Sequence, residues 1–161
     1  MAIEIFAKLG DIKGESTDAG HKDEIDVLSF SWGVANARGP AVGGGAGAGK
    51  PVFQDLSIVH YVDKASPKLM AACATGRRLP EATMTHRQAG PRQAEYMIVK
   101  FTDVIVTSVL QTGAAAASER PTETVSLAFL KVSFAYRPQK PDGTLDTAVE
   151  FKYDLTTNTG G

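Results

Sequence analysis

Apolar and polar residues alternate along most of the chain, which is the pattern of half-buried β-strands. From Ile3 to Leu9 the odd positions are apolar and the even positions are mostly polar. The same extended character recurs in six further segments, at residues 25–37, 52–62, 81–87, 95–110, 122–136 and 149–155. The pattern therefore predicts about seven strands, two of them longer than the usual five or six residues.

One segment has the periodicity of a helix instead. In DKASPKLMAACATG, Ser66 is a suitable N-cap, Pro67 fits the first helical position and Gly76 is a natural stop. Leu69 and Cys73 are four residues apart and share one face. The helix is short, so we expect it to depend on packing against a sheet.

The order of these elements predicts the fold class. Strands that follow one another through turns or short connections favour an antiparallel sandwich or barrel, with the helix as a cover on one side. We therefore expect a mainly β, single-domain chain over residues 1–161, with an extended Gly-rich loop at about residues 39–51. No sequence repeat is visible at any fixed period.

Composition and charge narrow the classes of partner. The chain has 17 basic and 18 acidic residues, which gives no electrostatic reason to expect nucleic acid or an anionic membrane surface. Cys73 is the only cysteine, so an intramolecular disulfide and a cysteine-rich metal site are excluded. No apolar run approaches the roughly 20 residues of a membrane helix, and no conventional signal peptide is visible. We expect a cytoplasmic protein, or one exported without such a signal.

The stretch GGGAGAGKP contains a fragment of a phosphate-binding motif. Gly44, Gly49 and Lys50 match the spacing G-x-x-x-x-G-K. A working loop also needs a Ser or Thr after the Lys and a helix that follows it. Pro51 stands there instead, and the next residues have the pattern of a strand. The sequence thus favours a flexible hairpin extension, while a nucleotide-binding enzyme of the P-loop type remains an alternative.

The other candidate groups do not form a catalytic arrangement in the sequence. His21, His60 and His86 lie on separate elements without metal-ligand spacing, and Cys73 lies at a helical core position. We therefore expect no enzyme activity, no metal and no cofactor. Long strands and a projecting loop are suited to self-assembly through sheet edges and flat faces.

Several segments, in order, resemble the haemolysin-coregulated protein (Hcp) family of the type VI secretion inner tube. They are AIEIFAKLGDIKGES, HKDEIDVLSFSWG, GGGAGAGK, FQDLSIVHYVDKASPKLMAACATG, RPTETVSLAF and YRPQKPDG. The resemblance implies a two-sheet antiparallel β-barrel with one short flanking α-helix, assembled as a homohexameric ring. Rings would stack into a hollow tube that a contractile sheath propels together with a VgrG-type spike, and the lumen would bind small effector proteins. A phage tail-tube subunit, which shares this architecture, is the related alternative.

The resemblance also assigns roles to particular positions. It matches residues 29–32 to a strand whose small polar side faces the lumen. On alternation, Ser29 and Ser31 share that face, while Phe30 and Trp32 share the other with Leu28, so we expect Ser31 to line the lumen and Trp32 to pack in the core. The extended loop would contact a neighbouring ring or subunit, through Val42, Gly43, Gly44, Gly45, Ala46, Gly47, Ala48, Gly49 and Lys50. It further implies no catalytic site, and export from the cytoplasm by the type VI system without a signal peptide.

Overall fold

The alternating segments form antiparallel strands in the computed structural model of the chain, which describes residues 2–36 and 50–161. Twelve strands and one helix occur in these residues. In chain order they are β1 (Ile3–Leu9), β2 (Ile25–Asp26), β3 (Ser29–Ser31), β4 (Val34–Asn36), β5 (Pro51–Phe53), β6 (Leu56–Tyr61), α1 (Ser66–Thr75), β7 (Arg78–Gln88), β8 (Glu95–Thr112), β9 (Thr122–Ala128), β10 (Lys131–Tyr136), β11 (Val149–Asp154) and β12 (Thr159–Gly160).

Breaks within three predicted segments and one additional short strand explain why twelve strands replace the expected seven. The segment at 122–136 is divided between β9 and β10, the one at 52–62 between β5 and β6, and the one at 25–37 between β2, β3 and β4, while β12 lies outside every predicted segment. Segment 95–110, by contrast, lies within one continuous strand, β8, of 18 residues. Period-two alternation shows that a segment is extended, but it does not show where the chain changes its pairing partner.

The strand β8 joins two layers. Its first half lies in a sheet with the order β12–β11–β10–β8–β7–β1–β2, and its second half pairs with β9, which continues through β6 to β3. The pairing of β8 with β9 shifts between Val106 and Ser108, and such a bulge bends and twists a strand. Within the described residues no pairing joins β3 to β2 or β12. The predicted mainly β, antiparallel two-sheet fold with one helix is confirmed.

A single apolar core lies between the layers. Phe101, Ile58 and Val125 come from three different strands, and each is at most 1% exposed. Trp32 packs against this core with its ring edge-to-face to Phe101, as the sequence predicts. Leu28 does not share that face, because 48% of its surface is exposed and the inward face of the strand begins at Phe30.

The helix α1 covers one side of β8. Leu69 and Ala72 are its buried apolar residues. Gly76 ends the helix with φ of 67°, as predicted, but the N-cap is Ala65 and not Ser66. Ser66 is instead the first helical residue, and its hydroxyl accepts a hydrogen bond from the backbone N–H of Asp63 at 3.1 Å.

An arginine fixes the connection between β1 and β2. The Arg87 side chain, 5% exposed, bonds the carboxylates of Glu4 and Asp18 and lies over the Phe6 ring at 4.9 Å. The hydrogen bond from Arg87, together with its charge, lowers the pKa of Asp18 to about 2. This cluster holds the connection against the outer face of β1 and β7, which explains why Arg87 is buried.

Candidate interaction surface

A row of serines crosses the layer formed by β3, β6, β9 and the end of β8. Ser31 pairs with Ser57, Ser57 with Ser126, and Ser126 with Ser108. Directly paired side chains lie about 4.5–5.5 Å apart on the same face of a sheet. Ser31 and Ser108 are exposed and the two between them are half-buried, so the row lies on the outer face of the layer.

Two further rows extend this face. Ser29, Val59, Thr124 and Leu110 form the next row, and Tyr61, Thr122 and Thr112 the one after it. We call these positions together the hydroxyl face: Ser29, Ser31, Ser57, Val59, Tyr61, Ser108, Leu110, Thr112, Thr122, Thr124 and Ser126. None of them carries a charge, and most carry a hydroxyl group. Leu110, which is 63% exposed, adds apolar surface.

Two charged side chains of this layer lie beneath the face, and a third, the guanidinium of Arg120, lies over the Tyr61 ring at one end of it, at 4.3 Å. His60 and Glu123 point into the core, and their side chains are 1% and 0% exposed. Burial alone would lower the pKa of His60, but its contacts with the carboxylates of Asp63 and Glu123 raise that pKa overall. Gln111 donates a hydrogen bond to the second carboxylate oxygen of Glu123 at 2.7 Å. These contacts tie together the three strands that support the hydroxyl face.

Both lateral edges of the layer are open. Within the described residues β3 pairs only with β6, and β8 beyond the bulge pairs only with β9. Unpaired edges expose backbone N–H and C=O groups that can bond another strand. The layer therefore has a hydroxyl-rich face and two edges able to receive neighbours.

The predicted site residues fall partly within this surface. Ser29 and Ser31 are both exposed and share the hydroxyl face. Lys50 is exposed and directly precedes β5. The other predicted loop residues, Val42, Gly43, Gly44, Gly45, Ala46, Gly47, Ala48 and Gly49, lie outside the described residues. Because the residues after Lys50 form a strand and not a helix, the expected mismatch with a phosphate-binding loop is confirmed.

The histidines and the cysteine occupy separate environments. His21 stacks on Phe6 and bonds Glu24 and Glu95 through its two ring nitrogens, while His86 is buried between aromatic rings. Cys73 packs partly buried against the core. In residues 2–36 and 50–161 no three His, Cys, Asp or Glu side chains converge as a metal site would require. Across those same ranges, no helix has the length and apolarity to cross a membrane.

Sequence reasoning found one strand of the surface and missed the other three. Ser57 and Ser126 alternate with buried residues on their own strands, and that alternation is visible in the sequence, whereas Ser108 follows the exposed Thr107 at the bulge in β8. Their alignment with Ser31 depends on strand pairing, which the sequence pattern does not determine. The bulge in β8 also changes which of its residues face outward beyond Val106.

The chain is similar to proteins of one secretion system. The family described as "Type VI secretion system effector, Hcp" matches residues 6–136. The protein named hcp1 of Pseudomonas aeruginosa is 45% identical over 160 residues, which cover 98% of each chain.

Solved structures agree with this similarity. One described as a type six secretion system protein aligns with a TM-score of 0.91 at 32% identity, over 99% of this chain and 100% of that one. Hcp1 from Salmonella typhimurium aligns with a TM-score of 0.82 at 35% identity, over 100% of each chain.

Proposed function

The chain belongs to the Hcp family of type VI secretion proteins, and from this premise we propose that it is a structural subunit of the secretion tube. In this function the protein assembles as hexameric rings that stack into a hollow tube. The hydroxyl face lines the lumen. The observation that carries the proposal is the layer of β3, β6, β9 and β8, whose outward side chains mostly carry hydroxyl groups and whose two edges are unpaired among the described residues.

The open edges support a closed ring. An edge strand exposes hydrogen-bonding groups, and a layer with two different free edges can join copies head to tail. A head-to-tail contact forms a ring when its rotation closes, and closure leaves no edge exposed. Edge β3 of one subunit would face the end of β8 in the next. The hydroxyl faces then form the continuous inner wall of the ring.

The chemistry of the inner wall supports transport of protein cargo. Hydroxyl groups donate and accept hydrogen bonds, whereas a wall with strong charge would hold oppositely charged cargo and repel the rest. Ser29 and Ser31 on the edge strand contact small effector proteins held inside the ring. Such a wall binds short polar surfaces of effectors through many weak contacts and lets them leave again.

Rings stack through the segment at residues 42–50. Lys50 is its member within the described residues, and it is exposed beside β5. The assembled tube lies in the cytoplasm inside a contractile sheath until contraction drives it out with a VgrG-type spike. Replacing Lys50 by Glu should shorten tubes in electron micrographs without removing single rings; tubes of unchanged length would contradict this contact.

Electron microscopy of the purified protein tests the assembly. We expect rings with six-fold symmetry and an open centre at micromolar protein concentrations. Analytical ultracentrifugation of the same sample should give the mass of a hexamer. Monodisperse monomers at high concentration in both measurements would overturn the proposed function.

A bulky residue on the hydroxyl face tests the cargo role separately. Ser31→Trp should reduce co-purification of effectors with the ring while rings remain visible, because the indole fills the space above the face. Ser118→Trp is the matched control, since Ser118 is exposed in the connection between β8 and β9 and is not one of the residues of the hydroxyl face. Equal cargo recovery from both variants would rule out Ser31 as a contact.

A further inference from the structure

A row of lysines crosses the other layer of the fold. Lys8 on β1 pairs with Thr83 on β7, and Thr83 pairs with Lys100 on β8. The row continues through Ser133 on β10 to Lys152 on β11. All three lysines are exposed, and the two hydroxyl residues between them are half-buried. Lysine and hydroxyl residues thus alternate across five adjacent strands.

The spacing of the charges follows from the sheet. Neighbouring strands lie about 4.7–4.9 Å apart, so lysines on every second strand have their Cα atoms about 9.5 Å apart. Lys131, one row away, adds a fourth amine. We call Lys8, Lys100, Lys131 and Lys152 the lysine face.

Two of these lysines form ion pairs with carboxylates and two do not. Lys131 Nζ lies 3.8 Å from a carboxylate oxygen of Asp154, and Lys152 Nζ lies 3.9 Å from one of Glu150. In the part of the chain that the structure describes, Lys8 and Lys100 form no ion pair. These two amines, at one end and in the middle of the row, produce a local positive potential on a chain whose net charge is −1, and the exposed Glu81 on the same face of β7 reduces that potential without removing it.

The lysine face also has a recess. An open depression of about 510 Å³ lies beside β10, lined by Lys100, Thr102, Lys131, Ser133, Lys152 and Asp154 among others. Its rim provides ammonium donors, and its floor provides hydroxyl groups that donate or accept. Carboxylates fit this set of donors, since each can accept from an ammonium and from a hydroxyl group at once.

The lysine face is separate from the hydroxyl face. The outward side chains of the two layers are divided by the shared core, in which Val99 and Val125 are both fully buried. A partner on the lysine face therefore does not compete with cargo on the hydroxyl face. The charges of the lysine face are properties of the single subunit and are present whether or not it forms a tube.

We propose that the lysine face is a docking surface for an acidic helical segment of a partner protein. A helix rises 1.5 Å per residue, so carboxylates about seven residues apart on one side of it match the lysine spacing. Nucleic acid fits less well: no arginine lines the recess, Tyr153 is its one aromatic residue, and Asp154 and Glu150 at its edge repel a continuous phosphate backbone.

The test uses a fluorescent, alanine-rich helical peptide with Glu at every seventh position, and an isomer of the same composition with its Glu residues clustered. A labelled DNA duplex serves as the third probe. Binding is followed by fluorescence anisotropy at low salt and again near physiological salt, because screening weakens exposed charge pairs.

The variant K8Q/K100Q/K152Q removes the row, and K13Q/K22Q/K68Q removes the same charge from exposed lysines elsewhere. We expect the row variant to bind the spaced peptide about ten-fold more weakly at low salt, and the control variant to bind within about two-fold of the parent. Unchanged unfolding of both variants, measured by Trp32 fluorescence, establishes that they are folded.

Three results would overturn the proposal: equal losses in the two variants, equal affinity for the spaced and clustered peptides, or tighter binding of DNA that also depends on the row. The first two would indicate general charge attraction, and the third a nucleic-acid surface. None of these results bears on whether the protein forms rings, which microscopy decides independently.

Discussion

The Nε2 atom of His60 lies 3.0 Å from Oε1 of Glu123, and the two side chains are 1% and 0% exposed. The residues are direct partners in the pairing of β6 with β9. A buried pair of this kind contributes little net stability compared with apolar residues, but loss of one partner leaves the other charge without compensation. The strands that carry the hydroxyl face are therefore held together in part by an ionic contact that is buried beneath that face.

Replacing Glu123 by Leu should destabilise the fold strongly. The change leaves His60 and the amide of Gln111 facing an apolar side chain, and we expect the free energy of unfolding to fall by about 3–5 kcal/mol. Denaturant unfolding followed by the fluorescence of Trp32, the only tryptophan, measures this at a fixed protein concentration. Glu119→Leu, at an exposed position, is the control. A loss below about 1 kcal/mol for Glu123→Leu would show that the pair is unimportant.

Stability should also fall as the pH rises above neutral. Although burial alone lowers it, the pKa of His60 is raised overall by Asp63 and Glu123, so the folded protein holds this proton more tightly than the unfolded chain. The contribution is complete below the unfolded value of about 6.5 and is lost as the pH passes the raised folded value. In the variant Asp63→Asn, the free energy of unfolding should fall less as the pH rises. An identical pH profile for parent and variant between pH 6 and pH 9 would contradict this origin.

His86 should make the fold less stable as the pH falls below about 6.5. Burial lowers its pKa to about 4, and its Nε2 atom has no hydrogen-bond partner among the described residues. The unfolded chain takes up a proton below pH about 6.5, while the folded protein does so only near pH 4, so stability falls between these values.

Between pH 7 and pH 5 this difference costs the parent about 2 kcal/mol. His86→Gln removes the titrating group, so the variant should lose about 2 kcal/mol less stability than the parent between pH 7 and pH 5. Unfolding curves recorded at several pH values measure this difference. Thr85→Ser, at the neighbouring buried position on β7, controls for a general disturbance of the strand. If His86→Gln and Thr85→Ser give the same slope as the parent, another group is responsible.

The class of the fold could be predicted because its signals are local. Alternation in residues 3–9 corresponds to β1, and Pro67 with Gly76 marks the helix to within one residue of its ends. The N-cap was misplaced because Ser66 bonds backward to Asp63, a local contact that competes with capping. Such side-chain contacts depend on the path of the preceding loop, which carries no periodicity.

The candidate site could be predicted only at one edge. Resemblance and alternation predict the position of Ser31, but its alignment with Ser108 depends on three strand registers and a bulge. The lysine row also depends on strand pairing. Lys8 and Lys152 are far apart in sequence, and four successive strand pairings place them in one row. Non-local pairing is the information that a single sequence does not display.

Two neighbouring residues of α1 test which side of the helix stabilises the fold. Leu69 is fully buried where α1 packs against β8, whereas Met70, the next residue, is 40% exposed. Leu69→Ala leaves a cavity in the shared core and should lower the free energy of unfolding by about 2–5 kcal/mol. Met70→Ala removes a side chain of similar size from the exposed side and should cost well under half as much. Thermal and denaturant unfolding of the two variants give the comparison directly. Equal losses would show that α1 is held by its exposed side, and small losses in both would show that the fold does not require the helix to pack.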